Sequence, residues 1–161
     1  MDGIKTLSLP ISAYGLLARI ASTLQSPLLL ATRLYWGWQF ALSGWGKLHR
    51  LDKMTDYFAT LNLPLPAFSA TFVSGLEFVG GLLLVLGLGS RFIALLLTAA
   101  MSVAYLTAQR HELLAVFSDP VKFYNADPFT FCSAALLVLV FGPGRFSLDF
   151  LISQLVAQKT L

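Results

Sequence analysis

The chain has 161 residues, of which 57% are hydrophobic and only 12% charged, with a formal net charge of +3. A soluble domain carries about 25% charged residues to wet its surface, so an ordinary water-soluble enzyme is excluded. A membrane-spanning helix takes about 20 apolar residues, which allows roughly four spans here and leaves no room for a large extramembrane catalytic domain.

The mean hydropathy of +0.74 and pI of about 9.2 fit a membrane protein whose basic residues sit at headgroup level. The 11 Lys and Arg are scattered singly, which excludes a nucleic-acid patch. Cys132 stands alone in an apolar run and forms no intrachain disulfide, so packing is its expected role. The segment before Pro10 has neither a clean apolar run nor a small-residue cleavage site, which argues against a removed signal peptide.

In chain order, residues 1–27 read as an interfacial segment. Ile11, Tyr14, Leu17, Ile20 and Leu24 recur at helical spacing between polar residues, and Pro27 is the expected stop. The first span is expected over 28–48, about 31 Å long, rich in aromatics and interrupted by Arg33, Gln39 and Lys47. Residues 49–66 are too polar to span, yet Leu51, Met54, Phe58 and Leu61 share one face; they predict a surface-lying helix stopped by Asn62, Pro64 and Pro66. The second span is expected over 67–88 with Glu77 near its middle. A tight Gly87 to Ser90 hairpin leads to the third span, over 91–108. In that span Ala100, Ala104 and Ala108 form a stripe that would let a neighbouring helix approach closely. Residues 109–127 are interfacial, the fourth span runs over 128–141, and Gly142, Pro143 and Gly144 end it. An amphipathic tail follows over 145–161. The expected fold is an all-α integral membrane four-helix bundle, spanning residues 28–144.

Four spans place both termini on one side. Lys5, Arg19, Arg91, Arg145 and Lys159 fall on that side, against Lys47, Arg50, Lys53, Arg110 and Lys122 on the other. Burial of Lys47 would tip this even count toward cytoplasmic termini.

Arg33, Lys47 and Glu77 lie at depths where an unpaired charge costs a few kcal/mol, so each is expected to face the bundle interior. Counted from the terminal side, Arg33 lies about 8 Å deep, Glu77 about 16 Å and Lys47 about 28 Å. This predicts an Arg33–Glu77 pair, with Arg91 as a second donor from the same side. Such a pair either fixes helix register or makes Glu77 a proton-accepting or ligand-binding carboxylate. Gly37, Ser43 and Gly44 share a stripe with Arg33, Phe40 and Lys47, suited to close helix packing or to a flat ring held against the backbone. Trp36 is deep enough to line a pocket, whereas Trp45 is an interfacial anchor. His49 and His111 fall at span ends with no ligand spacing around them, so no haem or metal site is expected.

Three separated motifs, SGWGKL (Ser43 to Leu48) after a span with an internal arginine, GLEFVGGLLLVLGLGSR (Gly75 to Arg91) and GPGRFSLD (Gly142 to Asp149), resemble the DoxX family. The resemblance implies a four-helix protein of the bacterial inner membrane. The recurring polar positions would be Arg33, Lys47, Glu77 and Arg91, with Gly142, Ser147, Leu148 and Asp149 at the end. It further implies a small subunit of a redox system, since the family is associated with a terminal quinol oxidase, thiosulfate:quinone oxidoreductase and complexes handling thiol or oxidative stress. The chain has no cofactor-binding signature and one cysteine, so a diffusible quinone or a partner subunit would carry the electrons.

The leading expectation is therefore a pocket for a quinone or a small anionic or sulfur compound near Arg33, Glu77, Arg91, Lys47 and Trp36. It would lie in a subunit that is not catalytic alone and that works with other subunits or as a homo-oligomer. Two alternatives are a membrane anchor or assembly factor for a soluble partner, and a small transporter or exporter component using Arg33 and Glu77 as a relay.

Overall fold

The computed structural model describes residues 5–159, with side chains from Tyr14 to Gln158; the Ile11 side chain of the N-terminal pattern and those of Lys5 and Lys159 lie outside them. All regular structure among the described residues is helical: α1 (Lys5–Leu48), α2 (Leu51–Thr60), α3 (Pro66–Leu86), α4 (Ser90–Thr107), α5 (Arg110–Leu114), α6 (Pro120–Asn125), α7 (Asp127–Phe141) and α8 (Leu148–Lys159).

Four helices form a ring, with α1 against α3, α3 against α4, α4 against α7, and α7 back against α1. Neighbours run antiparallel. Along α1, Gly37 lies against Gly81 and Val85, while Gly44 lies against Ser74 and Phe78, so one number rises as the other falls. Glycine is required at this seam because the backbones nearly touch. A Cβ on Gly81 would lie 2.5 Å from the Ala41 nitrogen, and one on Gly44 would lie 2.6 Å from the Ser74 oxygen. The glycines of the first span therefore serve close packing and do not receive a flat ring.

The stop expected at Pro27 is absent, and α1 is one continuous 44-residue helix. A proline removes one backbone donor, which apolar helices tolerate where neighbouring chain supports the segment. The 142–146 loop does so here: Gly144 packs beside Ser26 and Leu29, and the Arg145 N–H donates to Ser26 Oγ at 3.5 Å.

The ring has an apolar exterior, and its largely apolar interior holds a few buried polar groups. Leu34, Trp38 and Leu42 on α1, Phe68, Phe72 and Val79 on α3, and Phe92, Leu95 and Leu106 on α4 are exposed, while Arg33, Ser74, Glu77 and Ser90 are buried. Two helices, α3 and α4, are long and apolar enough to cross a bilayer, yet only 33% and 28% of their apolar windows are buried. A core helix of a soluble protein would be mostly buried, so these faces are built for lipid. Phe40, Leu84, Ala94, Leu97, Met101, Ala135 and Val138 fill the centre.

The connections do more than turn the chain. Met54 and Phe58 of α2, with Leu61 just after it, line one side of a cavity, so this helix lies over the bundle end. On the far side of that end, the Tyr105 hydroxyl donates to the Phe123 carbonyl at 2.8 Å, tying α4 to α6. Residues 151–158 of α8 are exposed, in keeping with a tail lying along an interface.

Candidate functional site

Glu77 is 1% exposed, in the middle of α3, and its carboxylate faces α1. Lys47 Nζ reaches both of its oxygens, at 2.6 Å to Oε1 and 2.7 Å to Oε2, and Ser43 Oγ donates to Oε2 at 2.9 Å. The three groups follow from helix geometry, because Ser43 and Lys47 are one turn apart on a single face. The lysine side chain leans toward the N-terminus of its own helix and so descends to the level of Glu77.

The expected Arg33–Glu77 pair is therefore not formed. The same lean carries Arg33 away from Glu77, toward the opposite end of the bundle, where its Nη2 donates to the Phe146 carbonyl. Arg91 does not reach Glu77 either; its guanidinium lies beside Gly142. Trp36 packs edge-on against Phe131 with ring centroids 5.3 Å apart, a contact between α1 and α7. Of the expected site residues, the structure brings together Lys47 and Glu77, and sets Arg33 and Arg91 elsewhere.

Ser43, Lys47 and Glu77 form one wall of a cavity of about 670 Å³. Phe40, Leu76, Met101 and Phe131 line its depth, and Gln109 and Asp127 supply further polar groups. Ala100, Ala104 and Ala108 open into this space. Ala100 also packs against the core cluster, and the small side chains of the stripe leave room for the cavity beside α4. The volume lies within the range of small-molecule sites, and the mostly apolar lining with a few convergent polar groups is their usual character.

A second polar assembly closes the other end of the bundle. The Asp149 carboxylate accepts from the Gly89 N–H at 2.7 Å and the Ser90 N–H at 2.8 Å, capping the start of α4 from a distant part of the chain. The Asp149 N–H in turn donates to the Gly87 carbonyl at 2.9 Å. Burial by itself would raise the Asp149 carboxyl, but the backbone donors of Ser90 and Gly89, with the Arg33 charge nearby, outweigh it and hold the group below the usual carboxylate range. Gly87 sits at φ 71°, and a Cβ there would strike the Arg33 guanidinium and come within 2.6 Å of Ser147 Cβ. The end of the second motif at Gly87 and the third motif at Phe146, Ser147 and Asp149 thus meet around Arg33.

The sequence model of the DoxX family matches residues 28–110, just over half of the chain. The chain belongs to the DoxX family. With its apolar exterior this makes it a membrane protein in contact with the bilayer. The match covers α1 from Leu28 onward together with α2, α3 and α4, and so includes every residue of the Lys47–Ser43–Glu77 group. The GPGRFSLD segment lies outside the match and docks onto it. Comparison with curated proteins and with solved structures gives no match.

Sequence reasoning passed over two parts of this DoxX site. The four-residue interval between Ser43 and Lys47 was a legible signal that both serve one acceptor. The side of the cavity lined by α2 was not legible, since an apolar helix face reads alike against lipid or against a cavity.

Proposed function

We propose that this DoxX protein is a four-span subunit of a redox system of the bacterial inner membrane that receives a quinone in the 670 Å³ cavity. The observation that carries the reading is an apolar cavity with the Lys47–Glu77 pair and Ser43 in its wall. A quinone has a flat apolar ring and two carbonyl acceptors. Lys47 and Ser43 are donors to the ring carbonyls, and Glu77 is a carboxylate placed to accept a proton when a bound quinol gives its two electrons to a partner subunit and leaves as quinone. The Lys47 charge is already met by Glu77, and Asp127 adds a further negative group, so a neutral head suits the cavity better than an anionic one. Engagement of Lys47 with Glu77 also removes it from the headgroup count and favours cytoplasmic termini.

The test is binding of decylubiquinone to the purified protein in lipid nanodiscs, followed by quenching of tryptophan fluorescence. Saturable binding is expected, weakened about tenfold in Lys47→Met, as for loss of one charged donor. Lack of saturable binding, both for the protein alone and with its co-purified partners, would overturn the reading.

A further inference from the structure

The end of the bundle opposite the quinone cavity carries a cleft of about 980 Å³, enclosed by α1 near Ser26, the start of α4, the 142–146 loop and Asp149. Two arginines line it, Arg91 and Arg145. Neither makes an ion pair among the described residues. Arg91 rests against Gly142, so closely that a Cβ there would lie 3.3 Å from both Nε and Nη2, and the backbone of Arg145 is tied to Ser26 Oγ. The carboxylate in the cleft, Asp149, is engaged by the N–H groups of Gly89 and Ser90 and pairs with neither arginine, so two guanidinium charges against one carboxylate leave the cleft net positive.

The remaining walls are apolar and partly open to the outside: Phe92 is 66% exposed, Phe141 55% and Phe146 59%. Phe92 and Phe141 continue into the apolar exterior of α4 and α7, so the cleft is cationic at the bundle end and greasy where it meets the lipid-facing surface. Two guanidinium groups beside an apolar wall at an interface suit a phosphate carrying acyl chains. From this geometry we infer that the cleft binds the headgroup of an anionic phospholipid, with Arg91 and Arg145 on the phosphate and the chains running down past Phe92 and Phe141.

The experiment is native mass spectrometry of the detergent-purified protein offered phosphatidylglycerol or phosphatidylcholine. Preferential retention of phosphatidylglycerol is expected in the wild type, falling by about tenfold or more in the Arg91→Gln/Arg145→Gln variant, as two charge-assisted hydrogen bonds are lost. The Arg50→Gln/Lys53→Gln variant removes the same charge at the other end and should retain the lipid as the wild type does. Equal loss in the two variants, or no preference for phosphatidylglycerol, would overturn the inference. Displacement of the lipid by millimolar inorganic phosphate would also overturn it, by making the cleft a soluble-anion site. Titration of the wild type with salt needs no variant: the preference must fall as ionic strength rises, and a salt-independent preference contradicts the role of the arginines.

Discussion

Lys47 straddles the Glu77 carboxylate, within 2.7 Å of both oxygens, but the two partners are unequally sheltered: the Glu77 side chain is 1% exposed and that of Lys47 34%. Removing either one strands the other, and the cost depends on which is left. Lys47→Met leaves a buried carboxylate and is expected to destabilise by about 3–5 kcal/mol. Glu77→Gln leaves an ammonium that still reaches the cavity, and about 1–3 kcal/mol is expected. The double variant should be more stable than Lys47→Met alone. Denaturation of the three variants in one detergent checks the order, and a double-mutant cycle with no coupling would show that the pair is energetically idle.

The cap made by Asp149 predicts a pH dependence. Its folded-state pKa lies below the unfolded value, so its contribution is complete above the unfolded pKa of about 4 and is lost as pH falls through the lower folded value. Thermal unfolding of the wild type should therefore lose stability below about pH 4. Asp149→Ala should cost about 1 kcal/mol at neutral pH, the usual worth of a helix cap, and should show a shallower decline in acid.

At Gly87 the backbone conformation and the Arg33 guanidinium both exclude a side chain. Gly87→Ala is expected to cost about 2–4 kcal/mol, combining left-handed strain with displacement of packed atoms. Gly75→Ala makes the contrasting case. It lies inside α3 with nothing within 4 Å of its added Cβ, and should stabilise by up to about 1 kcal/mol. Paired melting curves distinguish a local requirement from a general intolerance of larger residues.

The cavity itself can be filled from the alanine stripe. Ala104→Phe places a ring in open space beside α2, so it should abolish decylubiquinone quenching while changing the unfolding temperature little. Full binding by a folded Ala104→Phe protein would mean that the ligand sits elsewhere.

Much of the fold was legible because the apolar runs and their punctuation are strong. The turn from Gly87 to Ser90 and the stop at Gly142 lie where glycine and proline placed them, and α3, α4 and α7 begin and end within two residues of expectation. The charge pairing was not legible, for a geometric reason. The depths take the first span to start at Leu28, just after the expected stop at Pro27, but α1 continues through that proline, so the zero is misplaced. The register is set where Gly37, Ala41 and Gly44 meet Gly81 and Ser74, and the sequence does not state which glycines face each other. Once that seam is known, the lean of side chains along a helix sends Lys47 toward Glu77 and Arg33 away from it.

The carboxylate that caps α4 comes from Asp149, some sixty residues beyond the N–H groups it satisfies. The start of α4 therefore lacks this partner until the segment after α7 has been made and has folded back onto the bundle. The segment after α7 acts as a clasp on helices made before it. A protein shortened before Asp149 would insert, yet remain ajar at the end where Arg33, Gly87 and the third helix converge.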